Sequence, residues 1–239
     1  MSAMASTWQT AAGALTQDLA RIFGDRLRSV VVYGAQLDGN ASAPVTTMAL
    51  VASLTIPDLE ACARHWPSWT AAGIAAPLLL PEAEFRESLD AFPLEYAEMM
   101  RAHVHVHGAD PFEGVEIPQA DHRLACEIQV KSHLLHLREG FVESGGRLPA
   151  IAGLVTAGAP AFAALLRNVA RLDGVQSHDR MEATRQGARA AGLSEDIVEA
   201  LLALEQPAGI PSSDPARLFP AYLTAVERLA TFVNTWRSV

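Results

Sequence analysis

The stretch RSVVVYGAQLDGNASAPVTTMALVAS, from Arg28 to Ser53, contains the clearest pattern of secondary structure in the first part of the chain. A β-branched and aromatic run, SVVVY, ends at Gly34, and a second apolar run, TMALVASL, begins at Thr47. The residues between them are rich in Asn, Ser and Pro, which are typical of loops. The order therefore predicts a strand, a loop and a second strand.

The residues on either side of this stretch predict further helices and strands. An amphipathic helix is expected from about Thr7 to Phe23, because its apolar residues recur at helical spacing. A second helix is expected after Thr55, with Pro57 suited to its first turn. The segments that follow are predicted, in order, as a strand (IAAPLLLP), a short helix (EAEFRESL) and two extended runs (FPLEYAEM and HVHVHG).

From Asp121 to Trp236 the periodicity is almost entirely helical, with breaks at SGG, DG and QPAGIPSSDP. The fold class is therefore predicted as α+β, a mixed sheet with flanking helices followed by an all-α helical bundle. We place the α/β domain at 1–118 and the helical bundle domain at 119–239.

Composition restricts the classes of function. The net charge of −9 and the pI near 5.3 disfavour a protein that binds nucleic acid through its phosphate backbone. The N-terminus lacks the pattern of a secretory signal, and the apolar stretches are interrupted by Gly and Pro, so we expect a cytoplasmic protein without a membrane span. A single lysine, Lys131, among many arginines and alanines suggests a GC-rich bacterial gene.

The order of helix, strand ending in YGA, polar loop, antiparallel strand, further strands and helical domain resembles the nucleotidyltransferase superfamily in its small bacterial form. In that family the first strand ends in Gly-Ser, which holds the phosphates of the nucleotide. Here the corresponding residues are Gly34 and Ala35. Gly34 still allows close backbone approach, Ala35 lacks the hydroxyl, and Asp38 follows in the loop. The resemblance implies that these three residues lie near the nucleotide.

The second strand of the family carries Asp-x-Asp, whose carboxylates hold magnesium. The resemblance places these positions between Val45 and Ala49, where the sequence VTTMA contains no carboxylate. Glu95 is the best remaining acidic candidate, because we expect it on a later strand where the third acidic residue of the family could lie. One such group does not make a two-metal site, so ATP and magnesium are expected only if the pocket is functional.

Arg123, Glu127 and Lys131 lie at successive i, i+4 positions of the first helix of the bundle. This charged stripe resembles the base-bearing helix of antibiotic-modifying nucleotidyltransferases. The resemblance implies that Glu127 is the base and that Lys131 contacts phosphate. The alternative is a ladder of ion pairs, each worth a few tenths of a kcal/mol.

Two groups of histidines raise the question of metal binding. Strand alternation would place His103, His105 and His107 on one face, but their spacing of about 7 Å lets at most two of them share a zinc ion. On the bundle helix, His122 and Cys126 have the spacing of a soft-ligand pair. A polar interdomain face with partly buried imidazoles is the alternative that we favour for this helix.

Three functional hypotheses follow. The preferred one is a degenerate nucleotidyltransferase-like protein that binds a nucleotide or a phosphorylated small molecule, or regulates another protein, without transfer chemistry. The second is an active Mg-dependent nucleotidyltransferase that modifies a small hydroxyl acceptor or a protein, with Asp38 and Glu95 as metal ligands. The third is a homodimeric interaction protein with an exposed apolar face on the last helices of the bundle.

Overall fold

The structure is a computed structural model that describes residues 7–37, 40, 42–175, 177, 179–204 and 214–237. The chain divides into two compact units, the first ending at Ile117 and the second beginning at Pro118. Asp38 and most of the predicted break at 206–215 lie outside the described residues.

The first unit contains both helices and strands. In chain order they are α1 (Thr7–Phe23), β1 (Leu27–Tyr33), β2 (Thr46–Val51), α2 (Ile56–Ala71), β3 (Leu78–Pro81), α3 (Glu82–Glu87), α4 (Pro93–Arg101) and β4 (His103–Gly108). A short 3₁₀ turn, Gly24–Arg26, joins α1 to β1. The predicted first helix, the predicted pair of strands and the short helix after β3 are confirmed.

These strands form one mixed sheet in the order β3-β2-β1-β4. β1 is antiparallel to both of its neighbours, and β2 is parallel to β3. The central position of β1 explains its run of β-branched residues, because Val30, Val31 and Val32 are all fully buried.

The two faces of the sheet are covered by different cores. The first core places Val30 and Val32 of β1 against Leu15 and Leu19 of α1 and Trp69 of α2. The second core lies on the opposite face, where it joins strand residues to α3, α4 and the loop after β4; its buried members are Val31, Met48, Leu50, Phe85, Tyr96, Met99 and Phe112.

The segment FPLEYAEM is not extended, and this prediction was wrong. It forms most of α4, with Pro93 in its first turn, and Tyr96 and Met99 turn inward onto the second core. The alternation of the apolar residues Phe92, Leu94 and Tyr96 favoured a strand. The spacing of three residues between Tyr96 and Met99 instead matches the period of a helix.

The second unit is helical. Its helices are α5 (Gln119–Glu143), α6 (Leu148–Leu172), α7 (Arg180–Ala190), α8 (Glu195–Ala203) and α9 (Pro215–Thr235). α6 contacts the other four helices of this unit. α5 and α9 run antiparallel, because Arg138 pairs with Glu227 while Phe141 stacks on Phe219.

α6 is long and apolar enough to cross a membrane by length and composition. Most of its side chains from 162 to 172 are buried against neighbouring helices, and Pro160 lies within it. The core helix of a bundle can pass the same test of length and composition, so this one helix is weak evidence for a membrane span.

Candidate functional site

The turn after β1 is built around Gly34. Its φ of +87° lies in the left-handed region, and an added Cβ would lie 2.8 Å from Thr46 Oγ1. The Thr46 hydroxyl donates to the carbonyl of Tyr33, while the Leu37 N–H donates to the Gly34 carbonyl at 3.0 Å. Gly34 is therefore required for the close approach of β1 and β2 at this end of the sheet, and Ala35 follows it half-exposed.

The positions on β2 at which the resemblance predicted aspartates do not fit magnesium. The Thr46 hydroxyl already donates a hydrogen bond to the carbonyl of Tyr33. The Thr47 side chain is buried, and its Oγ1 has no hydrogen-bond partner among the described residues. Met48 is 1% exposed and lies in the second core, while Ala49 lies in the first. A thioether and neutral hydroxyls are poor ligands for a hard cation, and the space around Met48 is apolar.

The remaining acidic candidate of this unit, Glu95, is exposed in the first turn of α4. The prediction that Glu95 lies on a strand is therefore wrong. Its neighbours Leu94 and Tyr96 are buried, but Glu95 itself faces solvent. Within the described ranges, no group of three or more His, Cys, Asp or Glu side chains is placed to hold a metal ion.

In the second unit, α5 brings Arg123, Glu127 and Lys131 together as the spacing predicted. Arg123 Nη1 donates to Glu127 Oε2 at 2.7 Å, and Lys131 Nζ donates to Glu127 Oε1. These hydrogen bonds, the one from Lys131 foremost, hold the pKa of Glu127 below its usual value. A base of lowered pKa with both oxygens engaged is poorly suited to remove a proton, so the arrangement favours an ion-pair ladder at rest.

A pocket of about 450 Å³ lies beside this ladder, between the start of α5 and the end of α9. Its lining residues are Gln119, Ala120, Arg123, Glu127, Asn234, Trp236 and Arg237. The sequence pointed to Arg123 and Glu127 but not to Trp236 or Arg237. These two lie more than 100 residues beyond Glu127 in the chain, and only the antiparallel packing of α5 and α9 brings them near it.

The histidines of β4 do not share one face. A bulge shifts the register so that His105 lies opposite Val31 and His107 lies opposite Val30. Because Val31 and Val30 point to opposite faces, His105 and His107 do so as well. The expected single face is therefore wrong for His107.

Two histidines of α5, His122 and His133, point into the helical unit, whereas His136 is exposed. The His122 ring hydrogen-bonds the carbonyl of Asn168 at 3.0 Å, and burial raises the pKa of the adjacent Cys126 thiol to about 12. A thiol that stays protonated is a poor metal ligand. His133 Nε2 lies 2.6 Å from the hydroxyl of Tyr222. These side chains belong to the interior of the bundle, so the expected polar interdomain face is replaced by packing against α6 and α9.

Comparison with solved structures identifies a similar fold. The fold is similar to that of a spectinomycin adenyltransferase from Enterococcus faecialis, solved with ATP and spectinomycin, with a TM-score of 0.59 at 10% sequence identity. The match covers 92% of this chain and 98% of the other. Neither the protein-family models nor the curated proteins contain a match to the sequence. The chain therefore has the nucleotidyltransferase fold, and the predicted α+β class is confirmed.

Proposed function

We propose that this chain is a cytoplasmic bacterial protein in which a nucleotidyltransferase-like domain, 1–118, and a helical domain, 119–239, bind a nucleotide or a phosphorylated small molecule without transferring it. Gly34, Ala35 and Asp38 on the first domain and Arg123 and Lys131 on the second are the proposed contacts. The fold is shared with an enzyme solved with ATP and spectinomycin, which supports a nucleotide as the ligand.

The second core supports the proposal that the chain binds its ligand without transfer chemistry. Phosphoryl-type transfer needs anionic oxygens that fix magnesium against the phosphates. Met48 instead fills the sheet face together with Phe85, Tyr96 and Phe112. An ionised carboxylate among these rings would be desolvated at a cost of several kcal/mol. This face is therefore suited to packing and not to holding a cation.

Calorimetry and a transfer assay on the full chain test the proposal together. We expect ATP to bind equally well with and without magnesium, and we expect no release of pyrophosphate with candidate hydroxyl acceptors. Lys131→Ala should weaken binding, whereas Arg138→Ala should not, because Arg138 is an exposed, ion-paired cation on the same helix. Magnesium-dependent pyrophosphate release would contradict the proposal and support the active transferase, with Asp38, Glu95 and Glu127 as its acids.

The homodimeric interaction protein stays a second candidate because α5 carries an exposed apolar stripe. Leu124, Ile128, Leu135 and Val142 follow one side of the helix, and Ile128 and Val142 are 61% and 78% exposed. The expectation placed such a face on the last helices, yet no large apolar side chain is strongly exposed on the described parts of α7, α8 and α9. Failure to bind any nucleotide, combined with a dimer in light scattering that Ile128→Ser disrupts, would favour this candidate.

A further inference from the structure

The pocket between the start of α5 and the end of α9 has features of a binding site in its own right. We refer to it as the α5/α9 pocket. Each of its lining residues belongs to the second unit, and its volume of about 450 Å³ is within the range of small-molecule sites. It is lined by two guanidinium groups, one carboxylate, two side-chain amides and one indole.

The charges around the pocket favour an anion. Arg123 and Arg237 line it, and the carboxylate of Glu127 is shared between Arg123 and Lys131. These four side chains together carry a net positive charge, although the whole chain carries −9. The pocket therefore attracts an anionic ligand against the overall field of the protein.

The N-terminal end of α5 adds to this preference. Gln119 and Ala120, its first two residues, line the pocket, and the residue before them, Pro118, makes no side-chain capping hydrogen bond. The helix has 25 residues, so its N-terminus presents backbone N–H groups and the positive end of the helix dipole. Arginine forks and helix N-termini are both well matched to phosphate oxygens.

Trp236 adds an aromatic surface to the α5/α9 pocket. It follows directly after α9 and is only partly buried, so part of its indole lines the cavity beside Arg237. An indole that meets a cavity offers a flat apolar surface on which a planar ring can stack. The side-chain amide of Asn234, two residues earlier, can donate to and accept from the polar edge of such a ring.

From this combination we infer that the α5/α9 pocket binds a small planar ligand that carries a phosphate monoester, of the class of a nucleoside monophosphate. Arg123, Arg237 and the start of α5 hold the phosphate, and Trp236 stacks on the ring. The inference rests on the proposed function, because it names the ligand class and adds Trp236 and Arg237 to the binding residues. It places the affinity for this ligand in the helical unit.

Titration calorimetry on the full chain tests it with three probes: AMP, adenosine and inorganic phosphate. AMP should bind more tightly than either of the other two, because only AMP engages both the cations and the indole. Trp236→Ala and Arg237→Ala should each weaken AMP binding roughly tenfold, as expected for one lost stacking or charged contact. Two matched controls, Trp66→Ala on α2 and Arg138→Ala on α5, should leave it unchanged, because both remove exposed side chains elsewhere.

The outcomes separate the inference from the proposed function. If AMP or ATP binds with the same affinity to the wild type and to both pocket variants, the inference is wrong and the proposed function stands, with the ligand elsewhere. If neither nucleotide binds the wild type at all, the proposed function fails. Circular dichroism of each variant checks that the helices are retained, and Trp236→Phe, which keeps an aromatic ring, should recover part of the lost affinity.

Discussion

His133 should make the helical unit sensitive to acid, and the effect can be calculated from its surroundings. The imidazole lies between Phe162 of α6 and Tyr222 of α9, with ring centroids 6.4 and 5.8 Å away, and its Nε2 hydrogen-bonds the Tyr222 hydroxyl. Burial, reinforced by the nearby His136, lowers the pKa of His133 to about 4 from its usual value of 6.5. The folded state therefore favours the neutral ring.

The sign of the pH dependence follows from this direction. Between about pH 6.5 and pH 4 the unfolded chain binds a proton at His133 that the folded chain does not, so the free energy of unfolding falls as the pH falls. Above this window the contribution is fully present. For these two pKa values the loss between about pH 7.5 and pH 4.5 is about 2.5 kcal/mol.

The perturbation is His133→Leu, followed by urea unfolding of the full chain with far-UV circular dichroism at steps across this range. At neutral pH the variant should be less stable, because the Tyr222 hydroxyl loses its partner. The difference between wild type and variant should then shrink by about 2.5 kcal/mol towards pH 4.5, since the variant has no imidazole to protonate. His107→Leu is the control, because His107 is exposed on β4. A difference in stability that is constant across pH would show that His133 has the same pKa in the folded and unfolded chain.

Two further predictions concern stability alone. Thr55 precedes α2, and its hydroxyl donates to the carboxylate of Asp58 at 2.7 Å. Thr55→Ala removes this contact, so the free energy of unfolding should fall by about 1 kcal/mol. An unchanged urea midpoint would contradict this prediction. Gly187→Ala would place a Cβ 1.9 Å from the carbonyl oxygen of Leu166, so the melting temperature should fall by several degrees. Gly153→Ala is the control and should not lower the melting temperature, because the space around its Cβ is open. Equal effects of the two substitutions would count against the packing of α6 on α7.

The sequence was most informative where local rules and tertiary packing agree. The β-branched run before Gly34 predicted a central strand, and the i, i+4 spacing from Arg123 through Glu127 to Lys131 predicted contacts that the helix makes by its own geometry. The same local reading failed at Glu95, because Pro93 is compatible with either a helix start or an extended run, and the choice depends on packing of Tyr96 and Met99 against the sheet.

Other features were out of reach for a different reason. The face of His107 depends on a bulge in the pairing of β4 with β1, and a register shift of this kind has no signature in HVHVH itself. Trp236 and Arg237 become pocket residues only because α9 returns antiparallel along α5. Both features are set by contacts between segments far apart in the chain, which periodicity within one segment does not contain.

The absence of acidic residues between Val45 and Ala49 and the packing of the first unit are linked physically. A metal site on β2 needs water or phosphate above the strand, whereas this face is closed by the edge-to-face contacts of Phe85 with Tyr96 and Phe112, at 5.2 and 5.8 Å between ring centroids. These rings stabilise the sheet only if Met48 beneath them is apolar. A hydrophobic core and a magnesium site therefore exclude each other at this position, and a chain that builds this core must obtain any affinity for phosphate from cations located elsewhere.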